Sequence, residues 1–259
     1  MELGLSGKIV LISGGSKGIG QACAQAFLAE GAKVAITSRD PANIAAAKAK
    51  LGAGVLGLAA DLTDAVQAAK VVADVERQLG PIDVLVNSAG AAKRTPAADL
   101  TPAAWRAAMD AKYFSTINVL DPALKAMAAR KRGVVINIIG SGGRSANVIH
   151  IPGGAANAAL MLATAGLGAA YAKQGIRVVG INPGTTNTGR VETGLQAQAK
   201  QDGITIEEAR KKVIGKIAMG RMAEPEEIAA TVVYLASDKA SYITGTTITM
   251  DGAANPGVL

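Results

Sequence analysis

Three groups of residues in this 259-residue chain have types and spacings that could do chemistry. The first is the run Ile12-Ser13-Gly14-Gly15-Ser16-Lys17-Gly18-Ile19-Gly20, a glycine-rich turn that follows an apolar stretch. Gly14, Gly18 and Gly20 let the backbone approach a ligand closely. The amides at the head of the helix that follows Ser16, Lys17 and Ile19 suit a pyrophosphate. The second group is Ser38-Arg39, at the end of the next apolar run. An acidic residue there would bind the ribose hydroxyls of NAD and repel a 2′-phosphate. Ser38 is neutral, and Arg39 offers a planar fork of donors matched to phosphate, with Lys17 adding a second charge to the same pocket. The cofactor expected is therefore NADP(H) rather than NAD(H). Asp40-Pro41 reads instead as a helix N-cap followed by proline in the first helical position.

The third group, Ser141, His150, Lys112 and Asn157, is brought together by the family resemblance given below rather than by spacing; by type its members are a hydroxyl, an imidazole, an amine and a carboxamide. Ser141, beside Gly142-Gly143, offers a hydroxyl to a carbonyl oxygen; its bland alternative is a loop or cap serine. His150 is the only histidine, and an imidazole titrating near neutrality can donate or accept a proton. Lys112 and Tyr113 are further proton sources, and the Asn157 carboxamide can position a substrate or a ribose. The alternatives are a His150 that only packs and a Lys112 that pairs with a carboxylate or points to solvent. Cys23 is the single cysteine, so it has neither a disulfide partner nor a second thiol for a metal, and its apolar neighbours assign it to packing. No metal site is expected.

Positioning these groups requires regular elements. Apolar, β-rich runs at 8–13, 33–37, 54–59, 84–87, 134–139, 178–182 and 246–250 alternate with helical patterns. Seven strands with helices between them predict an α/β fold, a doubly wound Rossmann sheet of about seven parallel strands covered on both faces. Right-handed crossovers then bring every strand's carboxyl end to one edge, where ligands bind. The segment 185–219 breaks the rhythm, being polar and rich in Gln, Glu and Lys; it is expected to be a lid over the site or a surface insertion. No linker or repeat interrupts the chain, so residues 1–259 read as one domain.

Composition narrows the partners. Apolar residues make up 49% and charged residues 18%, as in a globular protein whose core is aliphatic, since aromatics are only 3%. The formal charge of +7 is scattered, and its densest run, Ala129-Arg130-Lys131-Arg132, reads as a solvated helix end, which argues against nucleic acid. The first residues lack a signal-peptide pattern, and no apolar run of about 18 residues is expected to follow, so the expectation is a cytoplasmic protein without a membrane partner.

The glycine turn, Asp61 after the third strand, Asn87-Ser88-Ala89-Gly90 after the fourth and Asn182-Pro183-Gly184 after the sixth together resemble the short-chain dehydrogenase/reductase family. The likeness runs from Gly7 to Gly252 and includes Gly220-Arg221-Met222-Ala223-Glu224-Pro225-Glu226-Glu227 and Ile243-Thr244-Gly245. It implies that Asp61 and Leu62 border the adenine and that Asn87, Ala89 and Gly90 line the cofactor, although Asn87 serves equally as a strand stabiliser. It also implies that Pro183, Gly184, Thr186 and Thr188 meet the nicotinamide end. Family members use an Asn, Ser, Tyr and Lys. Matched to them, Ser141 keeps the serine, but Gly153 stands at the tyrosine, Asn157 at the lysine and Lys112 at the asparagine. Losing a positioned acid or base costs about 10²- to 10⁴-fold in rate unless another group substitutes. The expectation is an NADP(H)-dependent oxidoreductase with a remodelled proton relay, acting on a small or medium, apolar carbonyl or alcohol. The alternative is a catalytically silent NADP(H)-binding sensor or regulator; a third is non-redox chemistry. The resemblance also implies a homo-oligomer, a tetramer or a dimer, assembled through 101–130 and 152–173.

Overall fold

The computed structural model describes residues 2–90 and 92–257. Each apolar run forms a strand: β1 Ile9–Ser13, β2 Lys33–Ser38, β3 Leu56–Ala59, β4 Val84–Asn87, β5 Gly133–Ile138, β6 Ile176–Pro183 and β7 Thr247–Met250. They make one parallel sheet in the order β3-β2-β1-β4-β5-β6-β7. Val10, Leu11 and Ile12 are fully buried on both faces of β1, which is why the central strands read as continuous apolar runs rather than alternating ones. Strand β6 starts two residues earlier than expected because Ile176 and Arg177 pair with Gly133 and Val134.

Nine helices of eight residues or more connect and flank the strands among the described residues: α1 Gly18–Ala29, α2 Pro41–Leu51, α3 Ala65–Leu79, α4 Pro102–Met109, α5 Ser115–Arg130, α6 Ile151–Tyr171, α7 Gly189–Asp202, α8 Ile206–Ile214 and α9 Pro225–Ala236. Helices α1 and α9 bury Cys23, Phe27, Ile228 and Val232 against one face; α3 and α5 bury Val71, Val75, Val119 and Met127 against the other. Burial pushes the Cys23 thiol up to about 12, in keeping with a packing role. Asp40 caps α2 as expected, its Oδ1 accepting from Ala42 N at 2.8 Å.

The strand order reverses between β1 and β4, and the crevice at the carboxyl ends opens there. Ser13, Asn87 and Asn137 lie in register at that edge, one on each of β1, β4 and β5. Between α4 and α5 the chain takes a π-helical turn, Asp110–Phe114, a local widening that is common at functional sites.

One expectation needs correction. The stretch Ile151–Gln174 is long and apolar enough by length and composition to cross a membrane, although no such run was expected. Its hydropathy comes from alanines with Ile151, Leu160, Met161, Leu162 and Leu167, broken by Asn157 and Thr164, and α6 lies along β6 and α4. The polar segment at 185–219 is largely helical. Helices α7 and α8 enclose a small core of Leu195, Ala199, Ala209, Ile217 and Met222, separate from the two sheet cores. A capping box between Thr205 and Glu208 starts α8.

Candidate functional site

At the carboxyl ends of β1 to β4 lies a cleft of about 310 Å³, lined by Gly14, Ser38, Arg39, Asp61, Leu62 and Ala89 among others. The glycine turn forms its floor. Gly14 has φ +70°, and a Cβ on it would stand 2.8 Å from Ala89 N and Cα. A Cβ on Gly20 would collide with Gly14 O. Side-chain hydroxyls hold the turn: Thr37 Oγ1 accepts from Gly14 N at 3.2 Å, and Ser13 Oγ accepts from Ser88 N and Ala89 N at 3.2 and 3.3 Å. Ser16 is buried and Ile19 packs on the core beneath, while Lys17 stands exposed at the N-cap of α1 and its side chain caps no amide. The head of α1 therefore keeps its amides free for an anion.

Charge at the cleft mouth is one-sided. Arg39 and Lys17 are exposed, and neither has an ion-pair partner among the described residues. The one carboxylate in the lining, Asp61, is tied to its own turn, with Oδ1 accepting from Thr63 N at 3.0 Å and Thr63 Oγ1 at 2.9 Å. A cradle without room for a Cβ, free helix amides and two unpaired cations fit a dinucleotide carrying an extra phosphate.

Not every expected cofactor residue faces the cleft. Asn87 is buried in a polar chain across the strands: its Nδ2 donates to Asn137 Oδ1 at 2.9 Å, Ser13 Oγ donates to its Oδ1 at 3.4 Å, and Asn137 Nδ2 donates to Thr164 Oγ1 at 2.9 Å. This geometry matches the strand-stabilising alternative. Pro183 ends β6, and a Cβ on Gly184 would lie 2.7 Å from Asp251 Cα. Thr186 is buried, bridges Ala223 and donates to Gly184 O at 3.3 Å, so it shapes the loop. Thr188, the N-cap of α7, reaches the glycine turn, its Cγ2 3.2 Å from where a Cβ on Gly18 would sit.

Beside this cleft the structure gathers Ser141, His150, Lys112 and Asn157. Ser141 opens the short turn Ser141–Gly143 after β5 and is half-buried. His150 is the N-cap of α6, three residues ahead of Gly153. A Cβ on Gly153 would collide with His150 Cε1 and Nε2 and lie 2.9 Å from its Nδ1. The imidazole thus occupies the volume that any side chain at 153 would take. Its Nδ1 is buried without a hydrogen-bond partner. Burial, and then the charges of Arg190, Arg94 and Lys112, hold the imidazole below its ordinary pKa of 6.5.

Lys112 projects from the π-helical turn into the interior, where its Nζ donates to Ile139 O at 2.7 Å. It neither pairs with a carboxylate nor reaches solvent, contrary to both bland alternatives. Burial, followed by the charge of Arg190, pushes its ammonium down to about 8. Asn157 lies beneath the Ser141 loop: its Nδ2 is 3.2 Å from a Cβ position on Gly140 and 3.5 Å from one on Gly142, and His150 Cδ2 is 3.9 Å from the latter. Its Oδ1 is buried and unpartnered. Tyr113 is not part of this group; its ring stacks edge-on against exposed Phe114, centroids 5.2 Å apart.

Sequence reasoning missed Arg94 and Arg190. Arg190 lies in the first turn of α7 and donates from Nη1 to Gly90 O at 3.3 Å. Its one visible signal was a cation placed at the positive end of a helix. Among the described residues no cluster of three or more His, Cys, Asp or Glu could hold a metal ion. A larger cavity, about 560 Å³, lies at the opposite edge of the sheet near Lys8, Asp83 and Arg177, away from all these groups.

Comparison with known proteins places this geometry. The family described as Enoyl-(Acyl carrier protein) reductase matches residues 14–255. Galactitol 2-dehydrogenase of Agrobacterium fabrum is 33% identical over 249 residues, covering 96% of this chain and 97% of that one. A Xanthobacter autotrophicus protein named inactive 2-(S)-hydroxypropyl-CoM dehydrogenase 2 is 36% identical over 236 residues, 88% of this chain and 97% of its own. L-sorbose reductase from Gluconobacter frateurii, solved with NADPH and L-sorbose, superposes with a TM-score of 0.93 at 28% identity over the whole of both chains. With its seven-stranded sheet, its glycine cradle and this coverage, the chain belongs to the short-chain dehydrogenase/reductase family.

Proposed function

We propose that this protein is an NADP(H)-dependent oxidoreductase in which His150 replaces the family's tyrosine as proton donor and acceptor toward a small or medium carbonyl or alcohol. The observation that carries the reading is the imidazole filling the volume at Gly153, the position to which the resemblance assigns the family's tyrosine. NADP(H), when bound, supplies or receives the hydride.

The chain's own residues do the rest. Arg39 and Lys17 hold the 2′-phosphate, the amides of α1 face the pyrophosphate, Asp61 and Leu62 flank the adenine, and Ala89, Gly90, Gly184 and Thr188 border the nicotinamide half. Asn157 Oδ1, a buried acceptor without a donor, suits a ribose hydroxyl. In the reducing direction the His150 imidazolium gives its proton to the carbonyl oxygen, and the Ser141 hydroxyl donates a hydrogen bond to the same oxygen. In the oxidising direction neutral His150 accepts the hydroxyl proton. Lys112, anchored on Ile139 O, fixes the loop that leads to Ser141. Helices α7 and α8 close over the site as a lid on this single domain, which works as a cytoplasmic homotetramer.

A second reading, a silent NADP(H)-binding sensor, has one specific support: a 36%-identical relative is itself named inactive. Titration with NADPH and NADH, followed by a panel of carbonyl compounds monitored for NADPH oxidation, separates the two. We expect tighter NADPH binding and turnover. Arg39→Asp should weaken NADPH about 10- to 100-fold, the value of one or two charge-assisted phosphate contacts. Tight binding without turnover on any carbonyl would leave only the sensor, and no binding would end both readings.

A further inference from the structure

Arg94 and Arg190 have no role in the relay just described, yet they meet beside it. Arg190 and Gly194 are four residues apart on α7 and share one helix face. Arg94 Nη1 lies 3.4 Å from where a Cβ on Gly194 would sit, so its guanidinium rests on the face that carries Arg190. The segment bearing Arg94 is also pinned to the His150 loop, because Thr95 N donates to Ile149 O at 3.0 Å. Neither arginine has an ion-pair partner among the described residues; Glu192, the acidic residue of the first turn of α7, is taken by Arg210. Arg190 therefore stands at the positive end of a helix, next to a second arginine, with buried Lys112 and His150 close enough to feel its charge. Burial, and after it the repulsion among these cations, holds Arg190, His150 and Lys112 below their ordinary pKa values. An oxyanion between the two guanidinium forks would relieve the repulsive part.

We propose that Arg94 and Arg190 clamp an oxyanionic group of the substrate, so that the carbonyl compound reduced beside His150 is an oxo acid or an equivalent phosphonate or sulfonate rather than an apolar ketone. This rests on the oxidoreductase reading for the reaction, but the clamp itself is a binding site. The cofactor's own phosphates are the other source of such an anion. Position favours the substrate through Arg94: Thr188 is the part of α7 that touches the glycine turn and Arg190 donates to Gly90 O at 3.3 Å at the cofactor's nicotinamide half, whereas Gly194 and Arg94 lie more than a helical turn further along, tied to the His150 loop.

The test uses the full chain with and without NADP⁺. Oxo-carboxylates, oxo-phosphonates and oxo-sulfonates of three to eight carbons, with the methyl esters of the carboxylates, are titrated calorimetrically and assayed for NADPH oxidation. We expect at least one oxyanion series to bind and its ester not to. Arg94→Gln and Arg190→Gln should each weaken that binding at least tenfold; Arg94→Gln should change NADPH affinity less than twofold, and Arg190→Gln, which also loses the bond to Gly90 O, should change it several-fold less than it changes oxyanion binding. Arg→Lys at either position should fall between, keeping the charge but not the fork, and serves if a Gln variant fails to fold. Esters that bind and turn over as well as the acids, or no oxyanion binding at all, would overturn the clamp. So would Arg94 and Arg190 variants that weaken NADPH instead. Arginine-dependent oxo-acid binding without NADPH oxidation would uphold the clamp and overturn the redox reading.

Discussion

A glycine at position 153 leaves the head of α6 bare, and the histidine three residues earlier folds into the gap. Chemistry then depends on protonation. Reduction needs the imidazolium, and burial together with Arg190, Arg94 and Lys112 favours the neutral ring, so kcat/KM for reduction should fall as pH rises through a value below 6.5. Oxidation, which needs the neutral ring, should reach its plateau above that same value. Were Lys112 the donor, the bend would stand near 8. Gly153→Ala pushes a methyl into the ring's place and should cost about 10²- to 10⁴-fold while leaving the melting curve cooperative. A bend near 8 that survives in Gly153→Ala would pass the role to Lys112. At this scale the sequence was informative about residue types: one histidine near a vacated position and one lysine at the asparagine position. It was silent on Arg94 and on its meeting with Arg190, which the packing of the loop after β4 on α7 brings about, a tertiary contact with no local pattern.

Elements were legible where burial is two-sided. Strands such as β1 and β4 are apolar up to their last residues, Ser13 and Asn87, because helices cover both faces and no surface residue interrupts the run. The segment 185–219 was not legible in the same way. Its helices bury only a narrow stripe, Leu195 and Ala199 on α7 and Ala209 on α8, so polar residues dominate its composition and hide the helical period. The capping box at Thr205 and Glu208 was there to be read. A unit with so small a core should open by itself. Hydrogen exchange should be faster in α7 and α8 than in β1, and should slow when NADPH is added. Leu195→Ala, at the low end of core truncations because the site can collapse, should cost about 2 kcal/mol and speed exchange in these helices about 30-fold. If β1 accelerates equally, the lid opens only with the whole domain.

At the scale of the whole molecule, the alternation of strands and helices was enough to specify the sheet and the edge that binds ligands, since right-handed crossovers leave few other arrangements. It did not explain why α6 is apolar enough to pass for a membrane span. Only 28% of that apolar stretch is buried within the single chain, and Leu162 is 76% exposed, with Trp105 on neighbouring α4 and Phe114 on the π-helical turn also open to solvent. Burying one such side chain is worth about 1.5–3 kcal/mol, and a symmetric contact counts it once from each subunit. Covering α6 with α6 of a second copy would remove the exposed face without a bilayer, and together with a second contact through 101–130 this is the tetramer expected from the family resemblance. Sedimentation of the purified chain should therefore give a tetramer. Leu162→Lys, placing a charge where each copy meets the next, should shift it to dimers or monomers with the circular dichroism spectrum retained, whereas a tetramer unmoved by the lysine would place the contact on another face.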